Sequence, residues 1–162
     1  MLDERLVRYC GRGACIDEVK GDRRTPVFVD PASCPFCAGS NNRRAMASML
    51  RALDGAGIQR VVIVGGTPKA HSEMRGLSGG SPVEVRFVEG TETDLSVRAA
   101  QERIGWSQLV VIWGSTPLPH KVSQNFDPAA CGTIPRILVR RRGIEALSTE
   151  VVTHCQGGRF RP

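Results

Sequence analysis

With 162 residues, 41% hydrophobic and 23% charged, the chain has the make-up of a globular protein with room for one domain and a small appendage. No apolar run approaches the roughly 18 residues that a membrane-crossing helix needs. Met1-Leu2-Asp3-Glu4-Arg5 lacks the apolar core of a secretory leader, so a cytoplasmic protein with no membrane partner is expected.

The net charge of +6 is carried at the ends. Residues 1–44 hold eight Lys/Arg against six acids, residues 45–135 eight of each, and residues 136–162 six Arg against two acids. A localised basic surface suits a polyanionic partner, and a merely solubilising charge gives the same count.

Residues 1–40 are poor in aliphatics and hold four of the six cysteines, Cys10, Cys15, Cys34 and Cys37. In a reducing compartment such a cluster points to metal rather than disulfides. Cys34-Pro35-Phe36-Cys37-Ala38-Gly39 has the form of a zinc knuckle: two thiols spaced by two residues can address one ion, and the small residues after them allow the turn. Cys10-Gly11-Arg12-Gly13-Ala14-Cys15 is a looser second pair, and eighteen residues separate the two, close to the four-cysteine ribbon spacing. Residues 25–29 can supply a short ribbon strand. So small a segment buries too little apolar area to fold unaided, and bound Zn2+ is the expected source of its stability. A redox pair at Cys34 and Cys37, or unrelated buried thiols, are the competing readings. Cys131 and Cys155 are isolated and are expected to stay free of metal.

Residues 42–53 have helical spacing, with Met46, Met49, Leu50 and Leu53 on one stripe and Gly55 or Gly57 as the stop. Four apolar runs follow, at 60–64, 83–88, 109–113 and 137–139. The first, third and fourth are almost continuously apolar, as strands covered on both faces are, whereas 83–88 alternates and belongs nearer an edge. Helical stretches are expected at 70–77, 94–104 (capped by Thr93 or Asp94), 119–126 and 144–152. The alternation predicts an α/β fold, a Rossmann-like parallel sheet of about four strands with helices on both sides. The expected organisation is a zinc-ribbon-like module over 1–40, the α/β domain over 41–155 and a basic tail over 156–162.

In a parallel sheet the turns after every strand share one edge. The candidates there for phosphate or nucleic acid are Gly65, Gly66, Thr67 and Lys69 after the first strand. Ser115, Thr116, His120 and Lys121 follow the third strand, and Arg140, Arg141 and Arg142 the fourth. Glycines, hydroxyls and cations in one crevice suit an anion. Tight turns and a solvated arginine corner are the plainer explanation of the same residues. There is no Gly-x-Gly-x-x-Gly, no Gly-Lys-Ser/Thr phosphate loop and no Gly-x-Ser-x-Gly elbow. Val88-Glu89-Gly90 with Asp94 resembles the glutamate motif of topoisomerase–primase nucleases, but Trp113-Gly114-Ser115 carries none of the aspartates that fold needs for magnesium. Of the three histidines, His71, His120 and His154, His120 is best placed for acid–base work, beside Ser115 and Lys121, but no partner carboxylate is identifiable. No catalytic residue is therefore assigned.

From Arg60 to about Val151 the chain resembles a family of small bacterial Rossmann-like domains of unknown function. The resemblance is carried by Val62-Ile63-Val64-Gly65-Gly66, by Gly90, by Ser115, His120 and Lys121, and by the run from Ile134 to Arg140. The family usually shows Ser directly before His, where this chain has Pro117, Leu118 and Pro119 between. The resemblance implies a Rossmann-like fold and no established reaction. The expected function is a zinc-containing protein that binds DNA or RNA. An enzyme acting on a nucleotide or phosphorylated substrate and an assembly subunit docking to an acidic protein partner are the alternatives. Salt dependence of binding, and binding of nucleotides, separate the three.

Overall fold

The computed structural model describes residues 3–90, 95–114 and 117–158, and the chain divides into two units, Met1–Ala45 and Met46–Pro162. In the first unit, strand β1 (Leu6–Tyr9) is followed by helix α1 (Gly13–Val19) and strand β2 (Thr25–Phe28). The two strands pair in parallel, from Leu6 opposite Thr25 to Tyr9 opposite Phe28. A parallel pair needs a crossover of about a dozen residues, and residues 10–24, with α1 inside them, supply it. The strand expected at 25–29 is therefore present, within a β-α-β unit rather than a hairpin.

The second unit is built on helix and sheet. Helix α2 (Asn41–Gly55) turns Met46, Met49, Leu50 and Leu53 inward, all of them buried. It ends in a Schellman motif: the Ile58 N–H bonds the Leu53 carbonyl, the Gly57 N–H bonds the Asp54 carbonyl, and Gly57 takes the left-handed φ of +75° that this closure requires.

Strand β3 (Arg60–Gly65), helix α3 (Pro68–Leu77), strand β4 (Glu84–Val88), helix α4 (Val97–Trp106) and strand β5 (Leu109–Trp113) follow. Helices α5 (His120–Asn125) and α6 (Pro128–Cys131), strand β6 (Arg136–Val139) and helix α7 (Ile144–Gln156) complete the unit. All four strands are parallel, in the order β4-β3-β5-β6. The aliphatic runs of β3 and β5 occupy the centre, buried along both faces, and the alternating β4 lies at an edge.

Successive side chains of a strand point to opposite faces, and two cores result. Val61, Ile63, Leu109, Val111, Trp113, Ile137 and Val139 pack with α2, α3 and α7. Val62, Val64, Val88, Val110 and Ile112 pack with α4, α5 and α6. Each fully buried aliphatic side chain contributes roughly 1.5–3 kcal/mol, and helices on both faces keep water from the sheet.

Helix starts differ in detail from the sequence expectation. α3 begins two residues early, because Thr67 accepts from the Ala70 N–H and Pro68 occupies the first helical position, where its missing N–H is harmless. α4 begins at Val97 with Ser96 as its cap, accepting from the Ala99 N–H. The expected caps Thr93 and Asp94 lie outside the described residues. α7 continues to Gln156, into the stretch expected as a basic tail. Among the described residues, no helix is long and apolar enough to cross a membrane.

Candidate metal centre and the strand-end edge

Cys10 directly follows β1, and Cys15 lies in the first turn of α1. Cys34 closes a single 3-10 turn, Pro31–Ser33, whose entry Asp30 fixes by accepting from the Ala32 N–H at 2.9 Å. Cys37 sits in the turn after it. There the Ala38 N–H bonds the Cys34 carbonyl and the Ser40 N–H the Cys37 carbonyl, each at 2.7 Å. Arg12 joins the two halves, donating from Nη1 to Asn41 Oδ1 at 2.8 Å and from Nη2 to the Gly39 carbonyl at 3.0 Å.

These backbones bring the four sulfurs within 4.8 Å of one another, all buried, so that together they can hold a metal ion. Cys10 Sγ and Cys37 Sγ are 3.7 Å apart. The edge of a tetrahedron of sulfurs about 2.3 Å from a central zinc is about 3.8 Å, so the donor set fits a tetrahedral dication. Among the described hydrophobic side chains, Val29 and Phe36 pack on this cluster.

The thiols differ in how readily they ionise. Burial raises Cys34, but N–H groups of Cys37 and Phe36, together with Cys10, outweigh it and hold the thiol at about 7. Cys15 is pushed up to about 12, by burial first and then by the neighbouring sulfurs of Cys10, Cys37 and Cys34. One thiolate forms easily in this cluster and the next is resisted. A bound dication removes that resistance, since a coordinating thiol is deprotonated outright. Around a bound ion four sulfurs would fill a tetrahedron and leave no position for water, the arrangement of structural sites.

Cys131 and Cys155 lie elsewhere, packed on opposite faces of the four-stranded sheet, and burial pushes both thiols up.

The second candidate region is the C-terminal edge of that sheet. β3 leads into α3 on one face, while β5 leads into α5 on the other, so the chain diverges between two adjacent strands. This is the topological switch point at which parallel sheets open a crevice. Gly65 and Gly66, both buried, make the turn that leaves β3, with φ of +99° and +87°. A Cβ on Gly65 would stand 2.4 Å from the Trp113 carbonyl, and one on Gly66 2.5 Å from the Trp113 ring, so both positions exclude a side chain.

Two residues organise this edge in roles that sequence reasoning did not give them. Trp113, 2% exposed, lies under the glycine turn, and its Nε1–H donates to the Arg141 carbonyl at 3.1 Å, joining the ends of β5 and β6. Its only sequence signal is an aromatic ending an aliphatic run just before a glycine. His71 is fully buried, its ring stacked on Phe87 and its Nε2 2.7 Å from the Gly65 carbonyl. Buried in this way it supports the turn and is closed to solvent.

Thr67 and Lys69 are exposed at the start of α3, and Leu118 reaches back to Gly65 from the loop before α5. His120 and Lys121 are exposed at the start of α5, and the hydrogen bond of His120 goes to Gln124 at 2.9 Å, not to a carboxylate. Arg140, Arg141 and Arg142 follow β6 and are exposed. Ser115 and Thr116 lie outside the described residues. Parallel pairing thus brings Gly65, Gly66 and Thr67 to the same edge as Gly114 and the arginine turn, with the Gly114 N–H bonded to the Val139 carbonyl at 2.8 Å.

No protein-family model matches the chain, and comparison with curated proteins and with solved structures likewise gives no match.

Proposed function

We propose that this is a zinc-containing nucleic-acid-binding protein. Zinc on Cys10, Cys15, Cys34 and Cys37 holds the N-terminal unit folded, and the strand-end edge of the α/β unit takes the phosphates of DNA or RNA. The observation that carries the metal part is the convergence of four buried sulfurs within 4.8 Å, in a unit with almost no other core. An all-thiolate tetrahedral donor set suits zinc among the common cellular ions.

The phosphate part rests on the charge and topology of the edge. Arg140, Arg141 and Arg142 stand exposed beside the switch point and its glycine turn, with Lys69 and Lys121 at the starts of the two diverging helices. No ion pair engages any of these five cations among the described residues. The exposed cations supply counterion release.

Elemental analysis of the purified protein should give about one zinc per chain. Oligonucleotide binding should weaken steeply with salt. Replacing Arg140, Arg141 and Arg142 together with Ala should lower the slope of log affinity against log salt by up to about 2.7 for duplex DNA, at about 0.9 per phosphate contact. Binding unchanged in that variant, or absent at about 50 mM salt for duplex and single strands alike, would overturn the phosphate reading. An acidic protein partner would then be the one to seek.

A further inference from the structure

The N-terminal unit leaves one phenylalanine out of its core. Phe28, the last residue of β2, is 66% exposed, the most exposed large hydrophobic among the described residues. It stands edge-on to Tyr9, its partner across the strand pair, with ring centroids 5.9 Å apart and planes at 89°. Gly11 makes room beneath it: a Cβ there would lie 3.3 Å from Phe28 Cε2. The sulfur cluster packs on Val29 and Phe36 instead, so folding of this unit does not use the Phe28 ring. Leaving this ring largely in water forgoes the gain of burying it, which a ligand covering the ring would recover.

The charge around the ring selects the ligand. The two strands and their adjoining turns, residues 3–12 and 21–30, contain Arg5, Arg8, Arg12, Arg23 and Arg24 against the acids Asp3, Glu4, Asp22 and Asp30. Arg24 is engaged by Asp22. Arg12, one residue beyond Gly11, is held in place by two neutral acceptors, Asn41 Oδ1 and the Gly39 carbonyl. Its charge is thus positioned without being neutralised by them. An exposed ring packed on Gly11, with the next residue Arg12 holding a fixed guanidinium, matches an unpaired nucleobase and its phosphate. A duplex offers no free base face, and an acidic peptide has no planar group to stack.

We infer that Phe28 and Tyr9 form a stacking platform for a base of single-stranded nucleic acid, with Arg12 addressing the adjoining phosphate. This deepens the function proposed above and rests on it, adding a preference for single strands and a contact that is not electrostatic. Stacking on an aromatic side chain tolerates any base and contributes about 1–3 kcal/mol.

The test is fluorescence anisotropy with the zinc-loaded full chain, using labelled oligo-dT, oligo-rU and a duplex of equal length at several salt concentrations. Phe28→Ala should weaken single-strand binding about 5- to 100-fold, with the salt slope and the zinc content unchanged and duplex binding little affected. Phe28→Leu, which keeps an apolar contact but no π face, should lose as much, and Phe28→Trp should restore binding. Single-strand affinity of Phe28→Ala within about twofold of the parent would overturn this inference alone and leave the proposed function standing. Retention of binding by Phe28→Leu would likewise refute stacking. A parent chain that binds neither single strand nor duplex would remove both.

Discussion

The two units of this chain reach a folded state by opposite means. Residues 46–162 bury two aliphatic cores against a sheet covered on both faces, and the strength of that unit is spread over dozens of side chains. Residues 1–45 gather four cysteines, with Val29 and Phe36 packed on them, and under the proposed function their order rests on the metal the sulfurs would hold. The contrast teaches that one chain can carry a distributed and a concentrated source of stability, and that single substitutions will act on them very differently.

The sharpest way to break the contrast is to remove the metal. Chelation, or Cys34→Ser, should abolish protection from hydrogen exchange across residues 6–37 while β3 and β5 keep theirs. Structural zinc sites contribute on the order of 10 kcal/mol to the folding of such units. An N-terminal unit that stays protected without metal would place its stability elsewhere. Cys155→Ser, in the other unit, should leave zinc content unchanged.

A smaller effect is expected at the glycine turn after β3. Gly66→Ala should lower the stability of the α/β unit by about 2–5 kcal/mol, combining the left-handed backbone penalty with a clash against the Trp113 ring. Gly57→Ala is the matching control, with a similar φ of +75° and nothing within 4 Å of the added Cβ. It should lose only the backbone part, about 1–2 kcal/mol. Thermal melts of the two variants separate steric from conformational loss, and equal losses would deny Trp113 its place under the turn.

The least effect is expected from surface charge. The Arg24 guanidinium, with its N–H groups on Asp22, holds that carboxyl down at about 2. A depressed carboxylate favours the folded state above its unfolded value of about 3.9, and that contribution fades as pH falls from there through about 2. An NMR titration should show Arg24→Ala returning Asp22 to the ordinary carboxylate range, with no change in zinc content, since exposed pairs contribute little. Loss of metal in Arg24→Ala would tie this pair to the centre.

How much was legible follows from what each residue must satisfy. The runs at 60–64 and 109–113 could be read as central strands because a strand covered on both sides has no polar alternation to hide it. The cysteine spacings could be read because a metal centre demands ligands of one type at short separations. The parallel pairing of β1 and β2 was not legible. Each has four residues, too few for a period, and α1 buries only Cys15, so no apolar stripe announces a helix between them. Phe28 gave no sign of its exposure, since a phenylalanine ending a short strand is ordinarily buried.

By itself, then, the sequence determined the class of the fold, the strands of the main sheet and the clustering of the four cysteines, because these rest on local periodicity and on residue chemistry. Tertiary structure alone decided that Trp113 underlies Gly66, that His71 is sealed beneath the turn of Gly65, and that Phe28 is left in water. Each of those outcomes depends on which surfaces meet across strands distant in sequence, and packing of that kind leaves no pattern along the chain to read.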